Sequence, residues 1–95
     1  ARLIAVRNLL TGEQVVEWEY ARLLYSMNMT FKKYDPTDEQ RQSLEQVTRA
    51  AAEQLAALEA DDVKGAAAIV KQAKNAFYLE HLTEAQQHAH PRDAE

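Results

Sequence analysis

The amino-acid sequence predicts an all-α fold, a small bundle of three long helices plus a short N-terminal helix. Three observations predict it. Only two glycines and two prolines occur in 95 residues, too few for the positive-φ turns of a hairpin-rich β fold. Alanine, glutamate, glutamine, leucine, lysine and arginine dominate, and these are the strongest helix formers. Apolar residues recur three and four positions apart and do not alternate.

The first element spans residues 2–10, where Leu3, Val6 and Leu10 share a helical face beside Ile4 and Leu9. Thr11 with Gln14 then has capping-box spacing, in which each side chain satisfies an orphan amide of the other residue. Glu13 adds negative charge at the positive end of the helix dipole. The second helix is expected to run to about Tyr34. Its Val16, Tyr20, Leu23, Leu24, Met27, Phe31 and Tyr34 form one wide apolar stripe, the core face.

Asp35-Pro36 ends that helix, because the residue before a proline is pushed away from helical angles. Thr37 with Gln40 repeats the capping-box spacing, and Asp38 and Glu39 fill the first turn. The third helix is expected from Asp38 to about Glu59. Leu44, Val47, Ala51, Leu55 and Leu58 make a narrow stripe suited to close helix–helix packing. Ala60-Asp61-Asp62 is a weaker break. An unbroken helix from 38 to 87 would be about 75 Å long and would bury far less than a hairpin, so a break there is expected. The fourth helix would run from about Asp62 to Gln87, with Val63, Ala66, Val70, Ala73 and Phe77 inward and Ala67 alongside. Residues 1–87 are read as one domain and residues 88–95 as a flexible polar tail.

Composition narrows the function. Hydrophobic residues make up 46% of the chain, but many are alanine, so bulky core side chains are few and a partner subunit would add buried surface. The net charge is −4, which disfavours non-specific binding to phosphate backbones. That charge is uneven: residues 1–34 carry five basic and three acidic groups, and residues 35–60 two basic and six acidic. The absence of cysteine excludes disulfides and thiolate metal sites and fits a cytoplasmic location. No apolar run approaches the ~20 residues needed to span a bilayer, and the start is too charged for a secretory signal.

The second helix has a further feature. Trp18, Tyr25 and Met29 lie on a second stripe nearly opposite the core face, with Arg22 beside them. One apolar face suffices for an outer helix of a monomeric bundle. A second, carrying the only tryptophan, needs a cover: the first helix, a second copy of the chain, or another protein. Tryptophan, tyrosine and methionine are enriched at interface centres. The expected function is therefore a non-enzymatic protein–protein interaction module, such as a small adaptor, chaperone-like or inhibitory factor. A homodimer, another protein, or both would be its partners, with no cofactor and no membrane.

The alternative is a nucleic-acid-associated accessory or regulatory protein. Arg2, Arg7, Lys32 and Lys33 would contact phosphates, and Phe31 and Tyr34 would be available for stacking. Lys32 and Lys33 also fit a simpler role as charges complementing a helix C-terminus. His81, Glu84 and His88 have spacings that would align on one helical face and are weak candidates for a divalent cation. No His-Glu-x-x-His or glycine-rich phosphate cradle occurs. No catalytic residue is nominated.

Overall fold

The computed structural model describes residues 7–91, and the expected first helix lies largely outside them. Four helices follow in order: α1 (Gly12–Phe31), α2 (Asp38–Ala57), α3 (Val63–His81) and the short α4 (Glu84–Ala89). A 3-10 turn, Lys32–Tyr34, closes α1. There is no strand among the described residues, and the chain is a small all-α bundle. None of these helices is long and apolar enough to cross a membrane.

Local chemistry sets the boundaries. Thr11 and Gln14 form the expected capping box at α1, and Thr37 and Gln40 form the one at α2. Asp35 occupies the left-handed region at φ 51°, ψ 60°, reversing the chain ahead of Pro36. At the far end of α2 the helix stops at Ala57, and Asp62 caps α3 by accepting from the Gly65 amide at 2.8 Å. The segment 38–87 is therefore a hairpin.

The expected fourth helix, 62–87, is interrupted. It breaks at Leu82, whose backbone is extended and whose side chain is buried in the core. Thr83 and Gln86 then form a third capping box, which starts α4. The glutamines of the second and third boxes also bond to each other. Gln40 Nε2 donates to Gln86 Oε1 at 2.7 Å and to the His81 carbonyl at 2.9 Å. Gln86 Nε2 donates to Gln40 Oε1 at 3.0 Å and to the Tyr34 carbonyl at 3.2 Å. Two helix starts and the end of α3 are thus joined through one pair of amides. Tyr34 Oη donates to the His90 carbonyl at 2.5 Å, holding the chain just beyond α4 against the bundle.

The core combines Leu23, Met27 and Phe31 of α1, Leu44, Ala51 and Leu55 of α2, and Ala66, Ala73 and Phe77 of α3. Phe31 and Phe77 meet edge-on at 4.7 Å, and Tyr34 and Tyr78 do so at 5.9 Å. Helix α1 packs along α2, and α2 along α3, whereas α1 and α3 meet chiefly at this aromatic end. Toward the other end they leave a groove of about 310 Å³, walled by Leu23, Leu55, Val63, Ala66 and Val70, with Arg22 and Ser26 on the rim. Val63, expected to face inward, is 59% exposed at its mouth.

A buried ion pair lies near the same end. Arg7 and Glu19 are both almost fully buried, with Arg7 Nε 3.7 Å from the Glu19 carboxylate. Arg7 Nη2 donates to the carbonyls of Leu55, Ala56 and Leu58 at 3.2, 2.7 and 2.8 Å. Those carbonyls lie at and just beyond the C-terminal turn of α2, where helix carbonyls run short of intrahelical donors, although the Leu55 carbonyl also accepts from the Leu58 amide at 3.2 Å. The guanidinium therefore caps that helix and brings a positive charge to the negative end of its dipole.

Candidate protein-interaction face

Helix α1 presents two opposed surfaces because its sequence carries two apolar stripes. The inner stripe buries Leu23, Met27 and Phe31, and Leu24 packs partly against the core. The outer stripe carries Trp18, Arg22, Tyr25 and Met29. Tyr25 is 71% exposed and Met29 58% exposed, and Trp18 is half-buried. The Arg22 guanidinium lies 4.6 Å from the centroid of the Trp18 ring, a cation–π contact that covers part of the indole. The four residues follow each other at intervals of four, three and four, so they fall within an arc of about 60° on a regular helix.

The side of α1 facing α2 is ordered by charge. Arg49 of α2 forms a two-pronged ion pair with Glu17, and its guanidinium lies 3.9 Å from the Tyr20 ring centroid. The hydrogen bond that Arg49 donates to the Glu17 carboxylate is the largest cause holding the Arg49 pKa above its ordinary value. This contact is at the surface; the direction in which the outer stripe points is set by the burial of Leu23, Met27 and Phe31 on the opposite side of the helix.

The candidate nucleic-acid residues are not brought together. Arg7 is buried, and its guanidinium faces the α2 carbonyls and Glu19. The expectation that it contacts phosphate is corrected on that ground. Phe31 and Tyr34 are 1% and 4% exposed, so neither is available for base stacking. Lys32 and Lys33 are exposed in the turn after α1, and Lys33 Nζ lies 5.6 Å from the Tyr34 ring. Arg2 lies outside the described residues.

The metal candidates lose the geometry that nominated them. His81, Glu84 and His88 share a face only on a continuous helix, and the break at Leu82-Thr83 removes that register. His81 stacks on Phe77 at 5.7 Å, while Glu84 and His88 are exposed. Among the described residues, no group of three or more His, Cys, Asp or Glu is placed to hold a metal ion.

Two features escaped the sequence reading. The Arg7–Glu19 pair joins a residue expected to contact phosphate with one given no role, and sequence spacing carries no signal for such a contact. The groove between α1 and α3 had a partial signal in the small side chains Gly65-Ala66-Ala67-Ala68, which leave space where bulkier ones would fill it. The chain matches no protein-family model, and no curated protein or solved structure is significantly similar to it.

Proposed function

We propose that this chain is a non-enzymatic protein–protein interaction module that binds through the outer face of α1. The observation that carries the reading is the exposure of Tyr25 and Met29 on one stripe with Trp18 and Arg22, opposite the buried stripe of the same helix. Scattered exposed apolar residues are ordinary on a protein surface. Here they line up on a rigid helix whose far side is anchored in the core, and the residue types are those that dominate interface centres. Burying the Tyr25 ring and the Met29 thioether would remove apolar surface from water, the driving force of such a complex. The adaptor, chaperone-like and inhibitory roles share this mechanism, and a cytoplasmic location is part of the same proposal.

Tyr25→Glu tests the reading, because it places a charge at the centre of the stripe without touching the core. The expected result is loss of association, measured by light scattering of the pure protein and by affinity capture of partners. Far-ultraviolet circular dichroism should remain unchanged. A variant that keeps the parent's mass distribution and its captured partners would refute it.

A further inference from the structure

We infer that the groove between α1 and α3 binds a small amphipathic carboxylate, in the simplest case a free medium-chain fatty acid. Helices α1 and α3 meet at Phe31 and Phe77 and stand apart toward their N-terminal ends. The opening there, about 310 Å³, lies at the lower end of small-molecule sites, about 300–1,000 Å³. Its apolar walls come from three helices: Leu23 of α1, Leu55 of α2, and Ala66 and Val70 of α3. Along α1 the groove runs from Glu19 to Ser26. That is about 10 Å at the helical rise, the reach of an extended chain of about eight to ten carbons. Such an occupant would touch all three helices and fill the space that α1 and α3 leave between them.

Charge sets the class of ligand. Arg22 and Ser26 stand one helical turn apart on the rim, so a guanidinium and a hydroxyl flank one edge of the apolar groove. Among the described residues Arg22 contacts the Trp18 ring and pairs with no carboxylate. A cation–π contact uses the face of a guanidinium, whereas a carboxylate takes the N–H donors at its edge, so the two contacts are compatible. Glu19, the acid among the walls, is buried and lies 3.7 Å from Arg7 Nε. The Asp62 carboxylate at the start of α3 accepts from the Gly65 amide at 2.8 Å and does not line the groove. Arg22 is therefore the uncompensated charge among the walls, and it suits an anionic head.

Decanoate is the probe, with decanol as the same chain without the anion. Titration calorimetry of the whole chain should show saturable, one-to-one binding of decanoate. At ten times its Kd, decanoate should raise Tm by about 5 °C or more. Emission from Trp18, the only tryptophan, should follow the same curve, because its ring lies beside Arg22. Ala67→Leu adds bulk from an exposed position in the groove wall and should abolish binding. Val63→Glu, at the exposed mouth, should weaken it by repulsion. Arg22→Gln should weaken decanoate by about fivefold, the upper end for an ion pair at a wet rim, and leave decanol unchanged. Met29→Ala, on the outer stripe and outside the groove, should change neither. No saturable binding, or a Tm that falls, overturns the site. Binding that survives both Ala67→Leu and Val63→Glu overturns its location. Decanol bound as tightly as decanoate overturns the carboxylate. These readouts use the pure chain, so they stand or fall separately from the interaction reading of the outer stripe.

Discussion

Replacing Arg7 with methionine should destabilise the fold at the end where Glu19 of α1 meets the C-terminal turn of α2. The side chain keeps a similar apolar stem, so the change removes chiefly the guanidinium. Three carbonyls at the end of α2 lose their shared donor, and the Glu19 carboxylate, 2% exposed, loses the Arg7 guanidinium 3.7 Å away. Breaking a buried pair by removing one partner costs about 3–5 kcal/mol. A domain of this size has about 5–15 kcal/mol in total. Each kcal/mol moves Tm by about 4–8 °C in domains of 60–100 residues, so Tm should fall by at least about 12 °C. One internal feature moderates the loss: Arg7 Nη1 is buried with no hydrogen-bond partner, so the native arrangement already carries an unsatisfied donor. The double variant Arg7→Met/Glu19→Leu should recover a large part of the loss, because neither charge then stays buried without the other. Urea unfolding of the parent, both single variants and the double variant gives the coupling energy. A coupling near zero, or a loss below about 1 kcal/mol for Arg7→Met, would refute the assignment of the guanidinium as a buried cap and counter-ion.

The other predictions concern helix ends. Gln86→Glu should cost about 1–2 kcal/mol in thermal melts, although glutamate serves an isolated capping box as well as glutamine does. Here the amide also donates to Gln40 and to the Tyr34 carbonyl, and a carboxylate would leave both acceptors facing an acceptor. Gly12→Ala should stabilise by about 0.4–1 kcal/mol, because a Cβ there meets nothing within 4 Å and the unfolded chain loses freedom. Gly65→Ala should show no such gain. Its Cβ would lie 2.5 Å from Asp62 Oδ2 and displace the α3 cap, a loss of about 1 kcal/mol that offsets the improved helix propensity. Asp35→Val should destabilise by more than about 1 kcal/mol and Asp35→Gly should not, since only the former opposes the left-handed backbone. Calorimetry of the paired variants decides each case.

Much of this fold was legible in the chain before any coordinate. Helix periodicity placed Leu23, Met27, Phe31, Leu44, Ala51, Leu55, Ala66, Ala73 and Phe77 inward, and all are buried. Capping boxes are local, involving residues three apart, so Thr11/Gln14 and Thr37/Gln40 marked their helix starts without reference to the rest of the molecule. The same spacing at Thr83/Gln86 passed unread because the surrounding residues also suit a continuous helix. What settles that break is tertiary: Leu82 turns into the core, and Gln86 reaches Gln40 and Tyr34, which lie 46 and 52 residues away. Arg7 shows the same division more sharply. Its charge was visible in the sequence, but whether an arginine meets solvent or the end of a distant helix depends on how the chain folds back. The stripe of Trp18, Arg22, Tyr25 and Met29 follows from the repeat of one helix. That its tyrosine and methionine lie open, while the opposite stripe is sealed, follows only from where α2 and α3 pack.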